Sequence, residues 1–133
     1  MEKVFVDTSA WFAYANERDP DHPAVRTALE KWKGRLVTSN FVFDEIVTLL
    51  QMRAGSTVAV RMGESLRDSG LVRMFRVSPE DEEEAWSYFT RHGDKRYSFT
   101  DCASFILMRR LGLETAIAAD DHFRQAGFTV LPT

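Results

Sequence analysis

The stretch that decides the fold is Lys3-Val4-Phe5-Val6-Asp7-Thr8-Ser9-Ala10-Trp11. Lys3 to Val6 reads as a strand that ends at a carboxylate, Asp7. Ser9 to Asn16 follows as a short helix carrying Trp11, Phe12 and Tyr14. A strand passing through an acid directly into a helix is the start of an α/β unit. In sheets built from such units, reactive groups gather beyond the carboxyl ends of the strands, where Asp7 stands.

The same alternation continues downstream. Asp19 to Pro23 is a turn and helix start, with Pro23 at the first helical position. Val25, Leu29 and Trp32 recur at helical spacing, and Gly34 stops that helix. Arg35 to Thr38 is a short strand. Ser39 or Asn40 caps a helix whose buried face is Phe41, Ile46, Leu49 and Leu50, with Gly55 at its end. Thr57 to Ser69 is a helix closed by Gly70, and Leu71 to Val77 is a strand. Ser78-Pro79-Glu80-Asp81 supplies a cap, a proline and acids favoured by the helix dipole, and starts a helix running to about His92. Gly93 to Tyr97 is a polar loop, and Ser98-Phe99-Thr100-Asp101 opens a helix ending at Gly112. Thr115 to Ala119 is a short β-like run, Asp120 to Ala126 a last helical turn or two, and Phe128 to Leu131 a final strand. Strands separated by helices of this length pair in parallel through right-handed crossovers, giving a sheet with helices on both faces.

Composition narrows the class. The chain has 133 residues, which suits one domain over 1–133, and is 44% hydrophobic, with three Trp and ten Phe to fill a core. Its single cysteine, Cys102, excludes an intrachain disulfide and fits a reducing compartment. Glu2 and Lys3 bring charge too early for a secretory leader, and no apolar run approaches the ~18 residues of a membrane span. The expectation is a cytoplasmic protein without membrane association. A net charge of -3 argues against a general binder of phosphate backbones. That objection weakens if some carboxylates lie under cations. The acidic block Glu80 to Glu84 reads as a solvated helix start.

Four acids stand where the strands and helices meet. Asp7 follows the first strand and Asp120 follows the Thr115–Ala119 run. Asp101 lies in the first turn of a helix, and Glu45 in the early part of another that follows a short strand. All four can face one end of the sheet. Acids converging there repel one another unless cations lie between them, and hard oxygen donors select Mg²⁺ or Mn²⁺. Each also has a plain structural reading: Asp7 as an N-cap, Asp101 as partner of Ser98 in a capping box, Glu45 as an exposed helix residue, Asp120 as a cap with Asp121 competing for its role.

Several motifs carry a family resemblance. Val6-Asp7-Thr8-Ser9-Ala10-Trp11 resembles the opening of PIN domains, and Asp19-Pro20-Asp21-His22 their Asp-x-x-His stretch. Thr38-Ser39-Asn40 with Glu45 resembles their second acidic motif, and Ser98 to Phe105 the third. Ala119-Asp120-Asp121-His122-Phe123, with Gly127-Phe128 behind it, resembles the terminal acid and its aromatic anchor. The match runs in order over nearly the whole chain and is most similar to the VapC toxins of toxin–antitoxin pairs. It departs from the pattern at Ala118 and Ala119, where a Thr or Ser often supports the fourth acid. The resemblance implies a three-layer αβα sandwich around a parallel sheet of about four or five strands, and nuclease activity on RNA. It also implies a homodimer and a small antitoxin that covers the acidic crevice, for whose groove Leu49, Leu50, Val58 and Met62 are candidates.

The expected chemistry is metal-dependent hydrolysis of RNA phosphodiesters. Asp7 and Asp101 would hold Mg²⁺ or Mn²⁺ most directly, Asp120 would complete the site or hold a second ion, and Glu45 would act through water. Hydroxyls of Thr8, Ser9, Ser98 and Thr100 can fix carboxylate rotamers. Arg91, Lys95, Arg96, Arg109 and Arg110 are candidates for gripping RNA, and Tyr97 or Phe99 for stacking on a base. No histidine pair has zinc spacing, so His92 and His122 are set aside and His22 is read as structural. Met52, Met62, Met74 and Met108 read as core filler. A haloacid-dehalogenase-type phosphotransferase would need an acid at Ser9, a receiver domain an acidic pair near the first strand, and a nucleotide-binding module a glycine-rich loop after it. The remaining rival is a PIN-like module that binds RNA or protein without cutting.

Overall fold

A computed structural model describes residues 2–68 and 70–133. Met1 and the expected helix end at Ser69 lie outside the described residues. Among the described residues, five strands form one sheet: β1 (Val4–Val6), β2 (Leu36–Ser39), β3 (Val72–Phe75), β4 (Thr115–Ile117) and β5 (Thr129–Leu131). All pairings are parallel, in the order β3-β2-β1-β4-β5. Seven α-helices among the described residues flank it: α1 (Thr8–Ala15), α2 (His22–Lys31), α3 (Asn40–Ala54), α4 (Ser56–Asp68), α5 (Pro79–Arg91), α6 (Phe99–Leu111) and α7 (His122–Gln125).

The topology places the crevice. From β1 the chain steps outward to β2 and β3, then returns to add β4 on the other side of β1. Strand order therefore reverses between β1 and β4, the point at which α/β sheets open a cleft beyond their strand ends. Val6 pairs with Ile117 there, and Asp7 donates its backbone N–H to Ile117 O at 3.0 Å.

The central strand, β1, is apolar throughout because both faces of the sheet are covered. Val4, Phe5 and Val6 are fully buried, as are Ala116 and Ile117. Phe123, packed against Phe5, Phe105 and Phe128, pins α7 beneath the carboxyl end of β4. The expected helix punctuation is present. Ser39 caps α3, Gly55 closes it at φ 95°, and capping boxes start α5 and α6. His22 Nδ1 lies 2.9 Å from Ala13 O, and so ties α2 to α1.

Three expectations fail for packing reasons. Met52 is 78% exposed, because the last turn of α3 projects beyond the core. Phe41 and Leu49 are only half-buried; the inward face of α3 is Val42, Ile46 and Leu50. Within the acidic block, Asp81 is 3% exposed rather than solvated. Arg110 meets both its oxygens, Nε at 3.0 Å from each, and also reaches Arg76 O at 3.2 Å. Burial works against the charge of Asp81, but hydrogen bonds from Arg110 and Ser78 hold its carboxyl below the usual range.

Candidate active site

The structure brings Asp7, Glu45, Asp101 and Asp120 into one electrostatic neighbourhood at the strand ends. Asp7 is 2% exposed and Asp101 5%; Glu45 and Asp120 are half-buried. Burial, then the charges of Asp101 and Asp120, pushes the Asp7 carboxyl up from 3.8 to about 7. Burial also raises Glu45 and Asp101, and both feel the Asp120 charge in the same direction.

Each aspartate holds its place by capping a helix or turn. Asp7 Oδ2 accepts from Ser9 N at 3.2 Å and from Ser9 Oγ at 2.7 Å. Asp101 Oδ2 accepts from Ser98 N at 2.9 Å, and the Ser98 hydroxyl accepts Asp101 N–H at 2.9 Å. Asp120 Oδ1 accepts from His122 N at 3.1 Å. A carboxylate has two oxygens, so capping with one leaves the other for a second task.

Hydroxyls surround these acids. Ser9 Oγ, in the first turn of α1, donates to Asp7 and accepts Ala119 N–H at 2.9 Å, so it ties Asp7 to the backbone beside Asp120. Thr8 and Thr100 face Glu45 closely enough to favour its charged form, although Thr8 Oγ1 completes no aligned hydrogen bond.

His122, set aside on the sequence, belongs to the site. Its Nδ1 lies 2.8 Å from Asp101 Oδ2 and 3.8 Å from Asp120 Oδ2. Its only sequence signal was adjacency to Asp120, since it pairs with no other histidine. Asp121 points away and pairs with Arg124 at 2.7 Å on the surface.

Other candidates move out of the crevice. Arg110 is committed to Asp81, and Arg109 lies over the Tyr88 ring at 5.3 Å; both sit in the last turn of α6, at its far end from Asp101. Tyr97 is buried against Phe105 and His122 and offers no face to a base. Phe99 is half-buried against Phe41, Trp86 and Phe89. Lys95 and Arg96 stay exposed in the loop before Asp101, with Arg96 in the left-handed region at φ 59°. Leu50 is buried in the core, whereas Val58 and Met62 line an apolar groove of about 610 Å³ with Trp11, Tyr14 and Leu29.

A divalent cation fits this donor chemistry. Asp7 Oδ1 is buried and has no hydrogen-bond partner, and hard oxygens with like charge are what such ions neutralise. The cradle is not already closed: among the described residues, no three His, Cys, Asp or Glu side chains stand around a common ion position.

A model of the PIN domain matches residues 4–129. The 23S rRNA-specific endonuclease VapC20 of Mycobacterium tuberculosis is 41% identical over 128 residues, covering 94% of this chain and 95% of that protein. The crystal structure of Mycobacterium tuberculosis VapC20, described as a sarcin-ricin loop cleaving toxin, superposes with a TM-score of 0.90 at 38% identity, covering 96% of this chain and 97% of the other. A DNA-bound VapBC complex from Salmonella typhimurium shares the fold at a TM-score of 0.71 and 12% identity, covering 98% and 97%. This chain belongs to the PIN-domain family, within the VapC group that these relatives represent.

Proposed function

We propose that this protein is a metal-dependent endoribonuclease and the toxin of a toxin–antitoxin pair, with structured 23S ribosomal RNA as its substrate. The observation that carries the reading is Asp7: a carboxylate 2% exposed, one oxygen unpartnered, with Asp101 and Asp120 raising its pKa. Such an arrangement opposes its own ionisation until a cation enters. The substrate follows from the 41% identical relative, which is named for 23S rRNA.

Asp7, Asp101 and Asp120 would hold Mg²⁺ or Mn²⁺. Once bound, a divalent ion supplies charge neutralisation at the scissile phosphate and a more acidic water. Glu45, whose carboxyl is raised by burial and only partly drawn back by Thr8 and Thr100, would orient that water and take up its proton at a carboxylate oxygen. Ser9 and Ser98 fix the rotamers of Asp7 and Asp101. Lys95 and Arg96 attract the RNA backbone to the mouth of the crevice.

The apolar groove lined by Val58 and Met62 is the seat for an antitoxin helix. VapBC complexes among the structural neighbours support such a partner. A homodimer is part of the same reading, supported by Trp86, which stands 56% exposed and stacks on Phe89. The substrate and the lone cysteine favour a cytoplasmic location, and among the described residues no helix is long and apolar enough to cross a membrane.

The test is cleavage of 23S rRNA with Mg²⁺ or Mn²⁺, wild type against Asp7→Asn, with cut sites mapped by primer extension. Metal-dependent cutting by wild type alone is expected. Absence of cutting by wild type would favour the silent binding module.

A further inference from the structure

Among the described residues, the buried side-chain polar atoms without a hydrogen-bond partner are Asp7 Oδ1, Thr8 Oγ1 and His122 Nδ1. All three belong to residues of one crevice, and one is a nitrogen. We propose that His122 Nδ1 is a further donor to the divalent cation, giving the site a mixed oxygen–nitrogen donor set. This deepens the metal reading above and rests on it.

The contact geometry carries the proposal. His122 Nδ1 stands 2.8 Å from Asp101 Oδ2 and 3.8 Å from Asp120 Oδ2, yet it aligns a hydrogen bond with neither. Neighbouring donors on an octahedral Mg²⁺-type ion, each 2.0–2.1 Å from it, are roughly 3 Å apart. The nitrogen and the Asp101 oxygen already have that separation. The ring is also held in place. The backbone N–H of His122 is tied to Asp120 Oδ1, the Tyr97 ring meets it edge-on at 5.7 Å, and the next residue, Phe123, is fully buried.

The other two imidazoles differ. His22 Nδ1 is 2.9 Å from Ala13 O and His92 Nδ1 is 2.8 Å from Tyr88 O, so both are engaged by backbone carbonyls. Only the His122 nitrogen is left facing acids. Imidazole raises affinity for first-row transition ions relative to Mg²⁺, so this residue would tilt the site toward Mn²⁺.

The experiment uses the full chain and Mn²⁺ alone, without RNA. Bound Mn²⁺ is counted by calorimetry, and pulsed EPR reads ¹⁴N modulation from a coordinated imidazole. Wild type is expected to bind Mn²⁺ with clear ¹⁴N modulation. His122→Phe should keep Mn²⁺ binding, roughly tenfold weaker, and lose the modulation; His122→Gln serves in its place if the aromatic variant does not fold. Wild-type protein that binds Mn²⁺ without ¹⁴N modulation would overturn the proposal and leave His122 as a pairing group for Asp101. Modulation that persists in either variant overturns it too. Wild type that binds no Mn²⁺ overturns both this proposal and the metal reading beneath it.

Discussion

Ala119 donates its backbone N–H to the Ser9 hydroxyl at 2.9 Å, across 110 positions of sequence. The same hydroxyl donates to Asp7, so one side chain couples the ends of β1 and β4 and sets Asp7 against the segment carrying Asp120. Ser9→Ala leaves the Ala119 N–H without that partner and frees the Asp7 rotamer. The expected cost is about 1–2 kcal/mol of stability and roughly a tenfold loss in cleavage rate. Thermal denaturation and single-turnover cleavage measure the two effects.

Asp7 predicts an inverse relation between stability and activity. Its folded pKa of about 7 exceeds the ordinary 3.8, so the folded chain keeps a proton that the unfolded chain releases. In chelator, stability should fall as pH rises from about 4 to 7 and level off above. Glu45 and Asp101, also raised, act in the same direction. Asp7→Asn should flatten the profile and gain roughly 2–4 kcal/mol at pH 7.5 without metal, while cleavage drops to background. Melting curves at pH 5 and 7.5 in EDTA decide it; a wild-type Tm that rises over this interval would contradict it.

Cations near the ends of α6 divide into two roles. Arg110→Ala removes the partner of buried Asp81 and should destabilise by about 1–3 kcal/mol, leaving KM for RNA and its salt dependence unchanged. Lys95→Ala and Arg96→Ala should do the reverse: near-native melting, weaker RNA binding, and a log K against log salt slope shallower by roughly one per residue. Arg96→Gly should in addition relieve its left-handed backbone, a gain of up to about 1 kcal/mol.

On the proposed reading, a change in the apolar groove separates neutralisation from chemistry. Val58 is half-buried in its lining, away from the four acids. Val58→Asp should weaken antitoxin binding by tenfold or more, about 1.4 kcal/mol, with cleavage unaltered. Co-purification with the antitoxin and an RNA assay on the free chain read the two properties separately.

The strand order of acids and the parallel sheet were legible because apolar runs, caps and glycines fall at definite positions. Gly55 and Gly112 closed their helices as expected, both at positive φ. For the aspartates, capping and ligand roles had stood as competing readings. Capping is seen for all three, and because Asp7, Asp101 and Asp120 each cap with one oxygen, it leaves room for the ligand reading. What stayed hidden depends on three-dimensional reach. Arg109 and Arg110 sit close to Asp101 in sequence, but eight or nine helical residues carry them roughly 12–14 Å along the axis. His122 was set aside on the sequence because its partner, Asp101, comes from another element. Met52 and Tyr97 exchanged expected places, the first turned outward by the end of α3 and the second drawn inward by Phe105.

Spatial order in the sheet differs from chain order, for β4 enters beside β1 only after β2 and β3 are laid down. Residues 115–122 therefore deliver the final acid, the Ala119 tie and the histidine together. A chain cut short before that segment would hold Asp7, Glu45 and Asp101 but neither Asp120 nor His122, and so lack one side of the acidic crevice. The crevice is therefore complete only once nearly the whole chain is in place.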